Sequence, residues 1–266
     1  MNSLRRLALL VEYDGARFHG FQAQPQEPTV QCELERALSK LTGEASRVEA
    51  ASRTDAGVHA EGQVVAFRTG SHLDVQAFVS ALNYYLPADI AVRAAQEALP
   101  DFRVRRARSR EYRYQMLARP KRSPLWRGRA WQIRRPLDVA AMQRAADTLC
   151  GEHDLVSFTN TEGARLKTWR RVLRADWRER GELLCFHMEA DAFLPHQVRR
   201  TVGALVQVGL GRWTPGGFAS LLAAPKPNSA GPAAPAWGLY LERVNYPPGT
   251  LDELATRHRE PNKREQ

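Results

Sequence analysis

Residues 52–68, Ser-Arg-Thr-Asp-Ala-Gly-Val-His-Ala-Glu-Gly-Gln-Val-Val-Ala-Phe-Arg, set a polar loop ahead of an apolar run. Val64 to Arg68 reads as a strand, residues 46–51 read as a shorter one, and residues 52–60 form the loop between them. Loops held by rigid strands are common homes for reactive groups. Arg53 and Asp55 stand two apart, and the small Ala56 and Gly57 follow, so a substrate can approach the Asp55 carboxylate closely. A neighbouring guanidinium favours the ionised carboxylate that a nucleophile must be. An aspartate in an Asp-Ala-Gly turn also caps its own backbone, and the local pattern leaves both readings open.

Outward from this loop the chain alternates strands and helices. Leu7 to Tyr13 reads as a strand ended by Asp14-Gly15. Residues 29–42 read as a helix, with Thr29 as its cap, Val30, Leu34, Leu38 and Leu41 on one face, and Gly43 as its stop. Asp74 to Leu86 reads as a helix ended by Pro87, and Ile90 to Ala94 as a short strand. Glu111 to Leu117 alternates as a strand. Val139 to Leu149 is helical and closed by Gly151. Strands are expected at 171–178 and 183–190, and helices at 198–208 and 215–222. The Ala- and Pro-rich residues 223–236 read as a long irregular loop, and 238–246 as a closing strand. This order indicates an α+β architecture with mostly antiparallel sheets. A domain boundary is expected near the basic run at 102–113, giving domains at 1–104 and 105–250 and a charged tail at 251–266.

The chain has 266 residues, and 39 Lys and Arg oppose 29 Asp and Glu for a net charge of +10. Lys40, Lys121, Lys167, Lys226 and Lys263 are the only lysines, and the other basic residues are arginines. Arginine suits bidentate phosphate contacts and stacking on bases, and a polyanionic partner is the simplest reason for the excess charge. The arginines at 103, 105, 106, 108 and 110 and the cluster Arg165, Lys167, Arg170, Arg171 and Arg174 are the candidate phosphate contacts. Cys32, Cys150 and Cys185 are far apart, so neither a disulfide framework nor a zinc site is indicated and a reducing cytoplasm fits. The longest early apolar run, Leu7 to Val11, is too short for a signal-peptide core or a membrane span.

The loop sequence RTDAGVHA, followed by Gln63-Val64-Val65-Ala66-Phe67, resembles the catalytic motif of the TruA family of tRNA pseudouridine synthases. Further matches run along the chain: Glu12-Tyr13-Asp14-Gly15, Gly20-Phe21-Gln22, Asn83 with Leu86-Pro87, and Asp89 to Val92. Beyond these come Tyr112-Arg113-Tyr114, Gly151 to Asp154, Ser157-Phe158, Ala192-Phe193, His196, Val198-Arg199, Val202-Gly203, Pro235 and Gly238 to Leu241. The resemblance implies a fold of two α+β domains whose sheets are continuous around a central basic cleft. It implies an isomerase that needs no cofactor and no metal and converts uridine to pseudouridine in the anticodon stem-loop, at tRNA positions 38, 39 and 40. It also implies a cytoplasmic homodimer that reads tRNA shape.

The resemblance assigns roles by position. Asp55 stands at the catalytic aspartate and Arg53 at the arginine that helps hold the flipped nucleotide. Tyr112 stands at the tyrosine that packs against the target base, and Arg199 at the basic residue that pairs with the catalytic carboxylate. The sequence departs from the family pattern at Ser52, Pro195, Gln197 and Arg200, beside the matched positions. On the residues alone, one of Tyr112 and Tyr114 could be core, His59 reads as fixing its loop, and His196 as packing or touching RNA. His153-Asp154 reads as capping or loop structure. Two rivals are a tRNA-binding protein without catalysis and a metal-dependent nuclease built on Asp55, His59 and His153-Asp154.

Overall fold

The computed structural model describes residues 4–251 and Leu254. The chain divides into two compact units, one of residues up to Arg108 together with those from Leu241 onward, the other Ser109–Tyr240. The expected boundary at 104/105 thus lies four residues earlier than this division. The closing strand, grouped in expectation with the second domain, returns to the first unit from Leu241 onward. Its residues carry ties to that unit: Arg108 N donates to Asn245 O (2.7 Å), and the Tyr246 hydroxyl donates to Val104 O (2.5 Å). Of the expected tail, Leu251 and Leu254 are buried, and residues 252, 253 and 255–266 lie outside the described residues.

The first unit is built on β1 (Arg5–Tyr13), which pairs antiparallel with both β3 (His59–Thr69) and β4 (Ile90–Ala98), while β2 (Glu49–Ala50) pairs with β3. Central β1 is apolar on both faces, and six consecutive residues from Arg6 to Val11 are buried. Its register sets Leu7 opposite Phe67 and Leu9 opposite Val65. Two helices accompany the sheet. α1 (Val30–Thr42) begins where the Thr29 hydroxyl accepts from Cys32 N and ends at Gly43, whose φ of +73° is the left-handed stop that glycine adopts without strain. α2 (Val75–Tyr85) is capped by Asp74 and ends before Pro87; its Phe78 meets Phe67 of β3 with ring centroids 6.0 Å apart.

In the second unit the sheet order is β5 (Ser109–Ala118), β9 (Leu183–Ala190), β8 (Trp169–Arg180), β7 (Gly151–Asp154), all antiparallel, with β6 (Trp131–Ile133) parallel to β5. α3 (Val139–Asp147) packs on β8 and on two further helices, α4 (Gln197–Gly209) and α5 (Pro215–Ala223). Tyr114, Phe186, Phe158 and Phe218 are fully buried in this unit. The last strand, β10 (Leu239–Asn245), contributes residues to both units. The expected helices and long strands are present, but β3 begins at His59, five residues before its read start and inside the expected loop, and β4 runs four residues past its read end. β6 and β7 are additions, three and four residues long.

Candidate active site

The loop that carries Asp55 is gripped from several elements at once. At its start Ala51 N donates to Val64 O (2.9 Å). The buried Gln63 side chain on β3 then clamps Ser52: its Nε2 donates to Ser52 O (2.7 Å) and its Oε1 accepts from Ser52 N (3.3 Å). Thr54 is buried, and its hydroxyl lies 2.7 Å from the Tyr13 hydroxyl. A bulge in the β1–β3 pairing between Val11 and Tyr13 changes the register just before this tyrosine. Thr54 O accepts from Phe21 N (3.1 Å), Gly57 N donates to Phe18 O (3.2 Å), and Val58 N closes the turn on Asp55 O (3.1 Å).

Two glycines let the 15–21 segment approach this turn. A Cβ on Gly20, whose φ is +89°, would stand 2.7 Å from Thr54 O, and one on Gly15 would stand 2.0 Å from Val58 O. His59 fixes the loop's other end, as read from sequence: its buried ring Nδ1 accepts from Gly15 N (3.1 Å) and lies 3.0 Å from Asp14 Oδ1. Burial alternates along the turn, leaving Thr54 inside, Arg53 exposed and Asp55 half-exposed. The result is an acidic side chain on a turn whose backbone is engaged at Ser52, Thr54, Asp55, Gly57 and Val58. Such pre-organisation is what close positioning of a reacting group requires.

Arg53 faces another cation. It shares with Arg105, Arg47, Glu49, Gln31 and Phe21 the lining of a cavity of about 90 Å³. Burial, and then the charge of Arg105, lower the pKa of Arg53. Two guanidiniums held together favour an anion between them. Arg103, Arg105, Arg106 and Arg108 are all exposed, alternating with the inward Phe102 and Val104.

The second-unit candidates divide into exposed and embedded groups. Tyr112 on β5 is buried, its ring edge-on to Phe193 at 4.9 Å. Tyr114, two residues on, is the core member of the pair: its hydroxyl donates to Pro235 O (2.8 Å), and burial pushes its pKa well up against the opposing pull of Arg199. Arg199 on α4 is half-buried; its Nε donates to Ala234 O (2.8 Å) and its Nη1 lies 3.4 Å from His196 Nδ1. His196 opens α4 with a φ of +60°, an uncommon conformation for a residue with a Cβ. Arg200 beside it has its pKa lowered by burial and then by Arg199.

Arg165 and Lys167 are exposed, whereas Arg170 is half-buried with its pKa lowered mainly by burial. Arg110 departs from the expectation for its run. It is 7 % exposed, and its Nη1 donates to Asp191 O (2.7 Å), so it braces the backbone after β9 and is withdrawn from the RNA-facing set. Arg174, read as part of the basic cluster, pairs with Asp176. Asp154 Oδ1 accepts from Val156 N (3.1 Å), the capping role expected for the His153-Asp154 pair, although both residues stand on β7. Among the described residues no group of three or more His, Cys, Asp or Glu could hold a metal ion.

Sequence reading quoted Gln63, Tyr13 and Gly20 as motif residues without giving them work. The signal was present in one case: a glutamine at the head of the apolar run QVVAF is a polar side chain bound for a core, where it must find partners.

A family model described as tRNA pseudouridine synthase matches residues 9–105 and 145–247 of the chain. Among curated relatives, the tRNA pseudouridine synthase A of Pelobacter propionicus is 44% identical over 244 residues, covering 91% of this chain and 100% of its own. That of Geobacter sulfurreducens is 43% identical with the same coverage. That of Chloroflexus aurantiacus is 43% identical over 268 residues, covering 98% of this chain and 94% of its own.

Proposed function

The chain belongs to the tRNA pseudouridine synthase family, and from that premise we infer that Asp55 is the carboxylate through which it isomerises uridine to pseudouridine in tRNA. The reaction breaks the bond between ribose carbon 1′ and uracil N1, turns the base, and joins carbon 1′ to carbon 5, from which a proton leaves. No electron is gained or lost. A carboxylate serves this sequence by attacking the base or the ribose, or by taking a ribose proton before the bond breaks. Each route needs an ionised oxygen fixed against the nucleotide. The observation that carries the assignment is the turn itself: Asp55 is half-exposed while the backbone around it is anchored to β1, β3 and the 15–21 segment.

The remaining roles follow from residue chemistry and motif position. Drawing the target uridine out of its stack costs about a few kcal/mol, and phosphate contacts offset that cost. Arg53, Arg105 and Arg47, three cations around one small cavity that Glu49 also lines, suit a backbone phosphate. Arg103, Arg106, Arg108, Arg165 and Lys167 are exposed and suit further ones. Tyr112 supplies a wall for the uracil ring and Arg199 a cation for the reacting carboxylate, by their places in the motifs. The targets are uridines 38, 39 and 40 of the anticodon stem-loop, and the working form is a homodimer. The three free cysteines, two of them exposed, suit a reducing cytoplasm, and among the described residues no helix is long and apolar enough to cross a membrane.

Asp55→Asn keeps the size of the side chain and removes its charge. Tritium release from carbon-5-labelled tRNA should fall at least a thousandfold (roughly the 10²–10⁴ range of a lost acid–base group or more), with tRNA affinity within threefold. A mutant that still turns over would show that the reaction does not pass through this carboxylate.

A further inference from the structure

The second unit carries a cavity of about 440 Å³ that none of the roles above uses. Its volume falls within the roughly 300–1,000 Å³ of small-molecule sites. Three tryptophans line it, Trp126, Trp131 and Trp237, with Arg122, Arg127 and Gln132. Three of the six tryptophans in the whole chain therefore meet at one opening.

These rings are held in place. Trp126 packs on the small buried cluster of Leu117, Ala130, Leu183 and Cys185, and its Nε1 donates to Glu182 Oε1 (2.5 Å), a carboxylate that also pairs with Arg119. Trp131 on β6 meets Tyr114 edge-on at 6.3 Å. Trp237 precedes Gly238, where an added Cβ would stand 2.7 Å from the Tyr114 ring and 2.9 Å from Gln115 O, so the chain there lies tight against β5. Trp237 is nevertheless 44 % exposed, and Leu125, between Pro124 and Trp126 of the lining, is 86 % exposed. Trp126 and Trp131 are half-buried beside it, and aromatic surface open to solvent at one cavity marks a binding surface.

Charge decides among occupants. Arg122 and Arg127 are exposed at the lining, and Lys121 and Arg129 are exposed beside them in the chain. A second copy docked on this patch about a two-fold axis would set these cations against themselves. Aromatic faces beside free guanidiniums are instead the chemistry of single-stranded nucleic acid, in which bases stack on rings and phosphates meet arginines. We propose that this cavity binds an unpaired nucleotide of the RNA substrate, with its base against Trp237 and its phosphate at Arg122 and Arg127. The inference rests on the reading of the chain as a tRNA-acting enzyme, and adds a second RNA contact built from residues outside those assigned to catalysis.

The test uses a fluorescein-labelled hexamer of adenosine, which contains no uridine, with binding read by anisotropy. Trp237→Ala should weaken binding about tenfold, the scale of one lost base–aromatic stack, and Trp237→Phe should restore it to within threefold. Arg122→Gln with Arg127→Gln should weaken it similarly and flatten the salt dependence by a slope of about 0.7, one phosphate contact on a single strand. Unchanged hexamer affinity in Trp237→Ala overturns the proposal, as does a shift of that variant from dimer to monomer, which would assign the patch to protein contact. If the wild type binds the hexamer through Trp237 but releases no tritium from tRNA, the cavity stands and the reading of Asp55 fails.

Discussion

Two irregular segments, residues 52–58 and 224–235, are fixed by different partners and leave different side chains exposed. The first is short and is seized from outside by three separate elements: Gln63 of β3 holds Ser52, Tyr13 of β1 holds Thr54, and Phe18 and Phe21 hold Gly57 and Thr54. The second is long and rich in Ala and Pro, and it is tied to α4 and to residues 157–161. Ala234 N donates to Arg199 O and Arg200 Nη1 to Gly231 O, while Ala230 N and Asn228 N reach Ser157 O and Thr159 O. In both segments order comes from where the backbone polar groups go, not from composition. Both segments leave charge at the surface: the first the exposed Arg53 and the half-exposed Asp55, the second the exposed Lys226. The first loop is held from β1, β3 and the 15–21 segment around one reactive side chain, and the second is held along its length by α4 and residues 157–161.

The contrast can be broken at its tightest contacts. Gly20→Ala should have the largest effect. Its Cβ would stand 2.7 Å from Thr54 O at a φ of +89°, so the Asp55 turn must shift. Single-turnover tritium release should drop about a hundredfold, the cost of a roughly 1 Å misplacement, with about 1–3 kcal/mol lost in urea unfolding. Gly203→Ala places a Cβ 2.4 Å from Pro232 O and should lift the second loop from α4. Stability should fall by about 1–3 kcal/mol, with activity reduced less than fivefold. Tyr114→Phe removes only the hydroxyl donated to Pro235 O and should cost about 1 kcal/mol in the same assay. Activity equally sensitive to Gly203→Ala and Gly20→Ala would erase the distinction drawn between the loops.

Much of this arrangement was legible beforehand. α1 could be read almost to the residue because Thr29 and Gly43 carry their own start and stop chemistry. Strand β1 announced itself by the five-residue apolar run Leu7 to Val11. β6 and β7 were not legible, since three or four residues show no period and these strands exist only through their partners. The basic run at 103–113 read as one surface. In fact Arg110 and Arg113 lie within β5 and turn inward, Arg110 to Asp191 O and Arg113 over the Tyr240 ring at 5.2 Å. Only the strand's start at Ser109 separates them from the exposed arginines before it. At the site, the motif identified Asp55, but the grip of Gln63 and Tyr13 depends on partners 11 and 41 residues away.

The central claim is that position, as well as charge, makes Asp55 competent. Asp55→Glu tests it most directly, because it keeps the carboxylate and moves it by one methylene. Measured under single turnover at saturating tRNA, the rate of tritium release should fall more than about a hundredfold while tRNA affinity stays within threefold. A glutamate variant that turns over near the wild-type rate would contradict the account.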